Sequence, residues 1–418
     1  MKNFLTSLVA VVALPLNAVA AVVSPPTAPQ ERQSMTGPET LIPVTANQGF
    51  AGWIDGFRGR ALADGVLPKV FDSAFQGVEY NTSVIEKDRH QSEFTKTIWD
   101  YLDSAASADR VRNGKAALMA HHELLDRIER AYGVEKEVVV AIWGLESAYG
   151  TFRGNEPLIE ALATLAYDGR RGAFFEGQLL DALRIIQAGD VDARHMTGSW
   201  AGAMGHTQFI PRSYLAHAVD FTGDGKRDIW SDDPADALAS TAAYLEHFGW
   251  TKGQPWGVEV ALPTNFDFGL TGERVTKSPA DWAAIGVLDV NGGPVRDHGP
   301  ASILVPAGAR GAAFMIFENF RVIEHYNTAD AYVIGVGHLA DRIAGGPPIK
   351  AAWPREYRAL LLAEREELQK RLTQAGFSTG GVDGRIGPNT IEAIRAFQRA
   401  QGLVPDGYAS TDILKMLR

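Results

Sequence analysis

The 418-residue chain contains no cysteine. That excludes disulfides, thiolate zinc sites, iron–sulfur clusters, a cysteine nucleophile and a lipid-modified N-terminal cysteine. It does not fix the compartment, because secreted chains can lack disulfides. An excess of basic charge is missing as well: 40 Lys+Arg stand against 50 Asp+Glu, a formal net charge of −10. A general nucleic-acid binder would carry a basic face, so nucleic acid is not an expected partner. The ten histidines include no His-Glu-x-x-His pair. His121-His122 fall on a predicted helix with side chains about 100° apart, which makes a poor chelating pair and reads as surface. Gly-x-Gly-x-x-Gly, Walker and Gly-x-Ser-x-Gly patterns are also absent, so the chain offers neither a phosphate loop nor a nucleophile elbow.

What is present is a globular composition, 45% hydrophobic and 22% charged, with enough apolar material for a sizeable core. At ~100–200 residues per domain, the length predicts two or three units. The N-terminus has Lys2, then the apolar run Phe4–Leu14, then Pro15 and a small-x-small Ala18-Val19-Ala20. These are the three parts of a cleaved secretory signal peptide over residues 1–20. The alternative is an uncleaved anchor, but Pro15 and Asn17 interrupt the segment before ~20 apolar residues are reached. No later stretch is apolar enough to span a membrane. Residues 21–46, with five prolines, read as a flexible leader.

From Phe50 onward the apolar spacing predicts helices near 50–63, 91–108, 113–132, 134–145, 157–167, 173–188, 234–248 and 328–344. The stretch 253–325 is proline-rich with short β-prone runs such as Trp256–Val260, and predicts a small mixed subdomain. Gly345-Gly346-Pro347-Pro348 marks a linker, 346–361, and helices near 355–375, 388–401 and 410–417 follow. Asp383-Gly384 and Asp406-Gly407, each ahead of a helix, form a weak internal repeat.

Two segments carry chemistry. In Ile142-Trp143-Gly144-Leu145-Glu146-Ser147-Ala148-Tyr149-Gly150 a carboxyl ends an apolar helix. Burial there would raise its pKa and suit a general acid. The ordinary alternative is a solvated glutamate, although a carboxylate sits badly at the negative end of a helix dipole. The run Gly198–Tyr214 is dense in glycine and hydrogen-bonding side chains, which permits close backbone approach to a ligand. Ser199 and Gln208 could bind sugar hydroxyl or amide groups; the alternative is a tight packing turn.

Taken in order, IWGLES-x-YG and GS-x-AGAMG-x-x-QF-x-P-x-SY, followed by Asp220–Gly225, Tyr244, Asn319-Phe320 and Tyr326-Asn327, resemble the lytic murein transglycosylase B family, glycoside hydrolase family 103. The resemblance covers residues 47–345. It implies a mainly α (α+β), lysozyme-like helical catalytic domain, with 253–325 as its mixed β-containing subdomain. It implies Glu146 as single acid/base, and Ser199, Gln208, Tyr244, Tyr326, Asn327 and Tyr332 along a glycan groove; for Tyr244 and Tyr332 a core role is the competing reading. The implied reaction cleaves the MurNAc–GlcNAc bond of peptidoglycan without water and leaves a 1,6-anhydro end. No cofactor is required for that chemistry. Asp220-x-Thr222-x-Asp224-Gly225-Lys226-x-Asp228 resembles the start of a calcium loop, with Ser231 in place of the usual twelfth-position Glu. Asp232, Asp233 or Asp236 could complete a structural calcium shell, and the family pattern favours Asp236.

The run 362–418, through Gly376-Phe377, Val382-Asp383-Gly384, Gly387-Pro388-Asn389-Thr390 and Asp406-Gly407, resembles a type 1 peptidoglycan-binding domain, a small three-helix module. It holds eight Lys+Arg and seven Asp+Glu, so the acidic balance lies on the rest of the chain. The expectation is a periplasmic monomer that is not a lipoprotein, acting on glycan strands and open to wall-remodelling complexes. The alternatives are a hydrolytic muramidase of the same fold and a non-catalytic wall binder.

Overall fold

The computed structural model describes residues 46–90 and 96–418. The signal-peptide reading and the leader up to residue 45 lie outside the described residues. Among the described residues no helix is long and apolar enough to cross a membrane. The architecture is mainly helical, with one four-stranded antiparallel sheet and a helical C-terminal module.

At the centre lies the helix Lys136–Ser147, in which every residue from Val138 to Ser147 is buried. A helix that is apolar on all sides must be surrounded. Around it pack Asp330–Ile343, Ala108–Ala120, Ala235–His247 and His122–Tyr132. Two expected boundaries shift for local reasons. Residues 91–95 of the segment expected at 91–108 lie outside the described residues; from 96 to 132 the helices are Ile98–Ala105, Ala108–Ala120 and His122–Tyr132. Thr97 and Ser107 each accept a backbone N–H three residues on and so start new helices. His121-His122 therefore straddle a helix junction rather than sharing one helix, and the His121 ring packs edge-on against Trp143 at 5.4 Å. Near the C-terminus the helix begins at Leu362, not at 355. Glu364 accepts two bonds from Arg358 and the backbone N–H of Leu361, which fixes that N-terminus.

Three apolar clusters organise the chain. The largest surrounds the central helix. The second belongs to the sheet, whose strands run in the order Leu288–Asp289, Gly257–Ala261, Ala313–Ile316, Ser302–Leu304. All four residues of Ala313–Ile316 are buried because the strand is covered on both faces. Ala313 and Met315 point into the second cluster, Phe314 and Ile316 into the first. That is the period-2 alternation of a strand used to join two cores. Asn319, fully buried, ties in the chain ahead of the sheet: its side chain accepts from Thr251 N (2.8 Å) and donates to the carbonyls of Thr251 (2.9 Å) and Gln254 (2.7 Å).

The third cluster, Leu368, Leu372, Ile394, Phe397, Ile413 and Leu414 among others, is the core of the C-terminal module. Its two Asp-Gly turns are built alike. Gln369 donates to Asp383 and accepts from Gly384 N; Gln398 donates to Asp406 and accepts from Gly407 N. The module rests on the sheet-bearing unit: Arg395 donates to Thr271 Oγ1 (2.5 Å), and Asp406 accepts from Ala309 N (2.9 Å). The linker is laid against the body, with Glu259 accepting from Lys350 N and Ala351 N and Arg355 paired with Asp103.

Candidate active site

The central helix ends one residue after Glu146. Ala148 and Tyr149 follow with φ of 49° and 60°, left-handed values that cost most residues energy. The termination is held by Ala148 N–H to the Gly144 carbonyl and Tyr149 N–H to the Trp143 carbonyl, both 3.2 Å. Arg110 adds its guanidinium, donating to the same Gly144 carbonyl. A cation here answers the negative end of the helix. The Tyr149 ring lies so close to Gly144 that a Cβ there would stand 2.6 Å from it, so only glycine fits.

Glu146 is 9% exposed. Burial pushes its carboxyl up to about 7, while the Tyr332 hydroxyl, donating to Oε1 at 2.5 Å, pulls the other way. A carboxyl near neutral pKa is poised to give up and take back a proton at ordinary pH. With Oε1 held by Tyr332, the proton of the neutral form belongs on Oε2.

The Gly198–Tyr214 segment locks onto this helix end. Trp143 Nε1 donates to His206 Nδ1 (3.1 Å), and Ser147 Oγ donates to the His206 carbonyl (2.5 Å). His206 Nε2 then donates to the Ser231 carbonyl (2.8 Å), and burial lowers the imidazole pKa. Gly205, at φ 69°, passes so near Ile229 that a Cβ would sit 2.2 Å from its carbonyl oxygen. Gln208 adopts φ 55°, and its amide nitrogen donates to the carbonyls of Arg153 (3.0 Å) and Gly205 (2.8 Å). Ser199 Oγ accepts from Ala203 N (3.1 Å).

The tyrosines are placed unequally. Tyr332 touches Glu146. Tyr326 donates to the Thr207 carbonyl (2.6 Å), and its burial beside Glu146 raises its pKa. Tyr244 donates to the His325 carbonyl (2.5 Å) and packs against Phe209, Phe248 and Tyr326. Asn327 Oδ1 accepts from Ala329 N (3.0 Å). Sequence reasoning did not single out Tyr101, Arg110, Trp143 or His206. Tyr101 is raised by burial and by Glu146. Trp143 and His206 stand inside the two motif segments, which was the available signal; Tyr101 and Arg110 lie outside them and had none.

The Asp220 loop has the turn of a calcium loop. Asp220 accepts from Thr222 Oγ1 and from the N–H groups of Gly223, Asp224 and Gly225. Asp236 lies beneath, and both its oxygens are engaged by Phe221, Thr222 and Asp228 N–H. Its carboxylate therefore anchors the loop backbone. Among the described residues, the acidic group whose oxygens converge within 4.8 Å is elsewhere: Glu273, Glu324 and Asp330.

Burial of Glu146 has a measurable thermodynamic sign. Its folded pKa near 7 exceeds the ordinary 4.5, so the folded state holds the proton more tightly. The associated stability is present at low pH and is lost as pH rises from 4.5 through 7. Glu146→Gln cannot ionise. Urea unfolding should find it more stable than the wild type by about 3 kcal/mol at about pH 8.5, with the gap closing near pH 4. A gap independent of pH would show that Glu146 is not desolvated.

Comparison with known proteins agrees with this geometry. The transglycosylase SLT domain family matches residues 49–341, and a peptidoglycan binding domain family matches residues 362–417. The membrane-bound lytic murein transglycosylase B of Escherichia coli K12 is 35% identical over 248 residues, 58% of this chain and 66% of that protein. The crystal structure of SltB3 from Pseudomonas aeruginosa, solved in complex with NAG-anhNAM-pentapeptide, superposes with a TM-score of 0.87 at 50% identity, covering 89% of this chain and all of that one. The Escherichia coli lytic transglycosylase Slt35, solved in complex with calcium, gives a TM-score of 0.61 at 28% identity over 72% of this chain and 93% of its own. The chain belongs to the transglycosylase SLT domain family and carries a C-terminal peptidoglycan binding domain.

Proposed function

We propose that this transglycosylase cleaves the MurNAc–GlcNAc β-1,4 bond of peptidoglycan without water, using Glu146 as its single acid and base. The neutral Glu146 carboxyl gives its Oε2 proton to the glycosidic oxygen, and the GlcNAc unit leaves. The substrate's own N-acetyl group stabilises the positive charge developing at C1. The Glu146 carboxylate then takes the proton of the C6 hydroxyl as that oxygen bonds to C1. Atoms balance with no water consumed, and an intramolecular attack gains the advantage of proximity. Tyr332 holds Oε1 throughout and steadies the carboxylate between the two steps.

One observation carries this reading: the Glu146 carboxyl is buried, pushed up to about 7 and held by the Tyr332 hydroxyl at 2.5 Å, so one group can give a proton and take it back. The hydrolytic alternative would need a second carboxylate, at about 5–5.5 Å in a retaining enzyme or about 6.5–9.5 Å in an inverting one. Ser199, Gln208, Tyr326 and Asn327 are proposed to line the glycan groove. Tyr244, whose hydroxyl is spent on a backbone carbonyl, serves there through its ring. The SltB3 complex with a muropeptide supports the substrate class. The non-catalytic alternative leaves the proton-ready state of Glu146 without a purpose.

The wider setting follows the substrate. We place the protein in the periplasm as a monomer, exported by a cleaved signal peptide over residues 1–20. The units are a catalytic domain over 47–345, a linker over 346–361 and a wall-binding domain over 362–418. Wall-remodelling complexes are compatible with that placement.

Calcium takes no part in this chemistry. The Slt35 complex makes it a reasonable structural ion for the Asp220 loop, with Asp220, Thr222, Asp224 and the Lys226 carbonyl as ligands. Asp236 would hold the loop in shape.

Mass spectrometry of digested murein decides the reaction: products should lack one water relative to reducing ends, and Glu146→Gln should release none. Reducing ends would establish hydrolysis instead. For the loop, calcium should raise the Tm of the wild type and leave an Asp220→Ala, Asp224→Ala double variant unmoved; equal shifts in both would remove the ion from this site.

A further inference from the structure

A cavity of about 550 Å³ lies between the sheet, the C-terminal half of the helix Asp330–Ile343 and the linker residues 346–350. That volume falls in the range of small-ligand sites. Trp256, Phe314 and Ile349 give it apolar walls, and the linker along one side is fastened by Glu259 and by Gly346 N–H to the Asp341 carbonyl (2.8 Å). His338 faces this space. Its side chain is 8% exposed and makes no hydrogen bond among the described residues. Burial and nearby Arg342 hold it near 4, so at neutral pH it is uncharged and has a free lone pair. One turn on, Asp341 spends Oδ2 on Trp256 Nε1 (2.9 Å). Burial raises Asp341 to about 6. Asp289 and Glu259 add negative charge to the lining. The lining cation Lys350 is tied to Asn291 at 2.6 Å, and Arg342 stands near His338.

An unused acceptor beside a desolvated carboxylate, in acidic surroundings with apolar walls, fits a cation on an aliphatic stem. We propose that this cavity binds the free primary amine of a peptidoglycan stem peptide, with His338 and Asp341 receiving the ammonium and Trp256 covering its methylene chain. The assignment rests on the peptidoglycan substrate proposed above. It gives the enzyme a way to distinguish stems whose diamino acid is free from those in which that amine is already acylated by a crosslink.

The test is calorimetric titration of the full-length secreted chain with a disaccharide–tetrapeptide bearing a free diamino-acid amine, and with the same compound acetylated on that amine. Cadaverine serves as a bare aliphatic amine. The free form should bind about tenfold more tightly than the acetylated form, as expected for a hydrogen-bonded charge, and cadaverine should compete with it. His338→Leu and Asp341→Asn should each abolish the difference while cleaving peptide-free glycan at the wild-type rate. Asp341→Asn retains size and shape, so it carries the test if His338→Leu misfolds. Equal binding of the two muropeptides, or an unchanged difference in Asp341→Asn, overturns the proposal. Cadaverine binding without a muropeptide preference overturns the stem-peptide assignment. Failure of the wild type to cleave peptide-free glycan would count against the catalytic reading and leave the amine comparison readable.

Discussion

The structure is organised around an unfavourable act: a carboxyl is placed inside the protein, at the negative end of a helix, with a tyrosine hydroxyl as its hydrogen-bond partner. Desolvation and the helix dipole both oppose ionisation, so Glu146 is held near neutral pKa. Keeping it there requires a helix buried on every side, hence the shell of helices around Lys136–Ser147. It also requires the chain to turn sharply immediately afterward. Two consecutive non-glycine residues in left-handed conformation, the Arg110 guanidinium and the close seat of Tyr149 on Gly144 achieve that turn. Local strain at this point is offset by the large core behind it.

The same logic extends outward. Trp143 and Ser147 fix His206, and with it the glycine-rich segment that brings Gln208 to the site. Tyr326 bonds to Thr207 in that segment and is joined to Tyr332 through the neighbouring helix. The strand Ala313–Ile316 links the catalytic core to the second cluster by turning alternate side chains to each. The C-terminal module then seats on that second unit through Arg395 and Asp406. Wall-binding and cleaving parts are therefore held at a defined spacing, with the linker packed between them.

Much of this was legible in the sequence. The apolar run to Glu146, the glycine-rich segment and the Asp-Gly turns of the tail are local patterns, and local patterns survive without tertiary knowledge. The run Val138–Leu145 is apolar throughout, which is the composition of a buried helix. The break at His121 was missed because apolar spacing continues across it, and the helix expected to end at 108 ends at Ala105 because the Ser107 hydroxyl caps the next one. The partnership of Tyr332 with Glu146 spans 186 residues, so residue type and position could suggest it only through family resemblance. Arg110 and Tyr101 were out of reach because nothing near them in the chain marks what they touch. The linker was read as a spacer from its Gly-Gly-Pro-Pro composition; its contacts with Glu259 and Asp103 depend on residues far away.

The central claim is that the fold itself raises the Glu146 carboxyl into the neutral range. The most direct measurement is its titration in the substrate-free protein, by carboxyl-stretch difference infrared spectroscopy against Glu146→Gln. A midpoint near 7 is predicted, moving higher in Tyr332→Phe because the hydroxyl that stabilises the anion is gone. A midpoint at the ordinary carboxylate value, unmoved by loss of the hydroxyl, would contradict it.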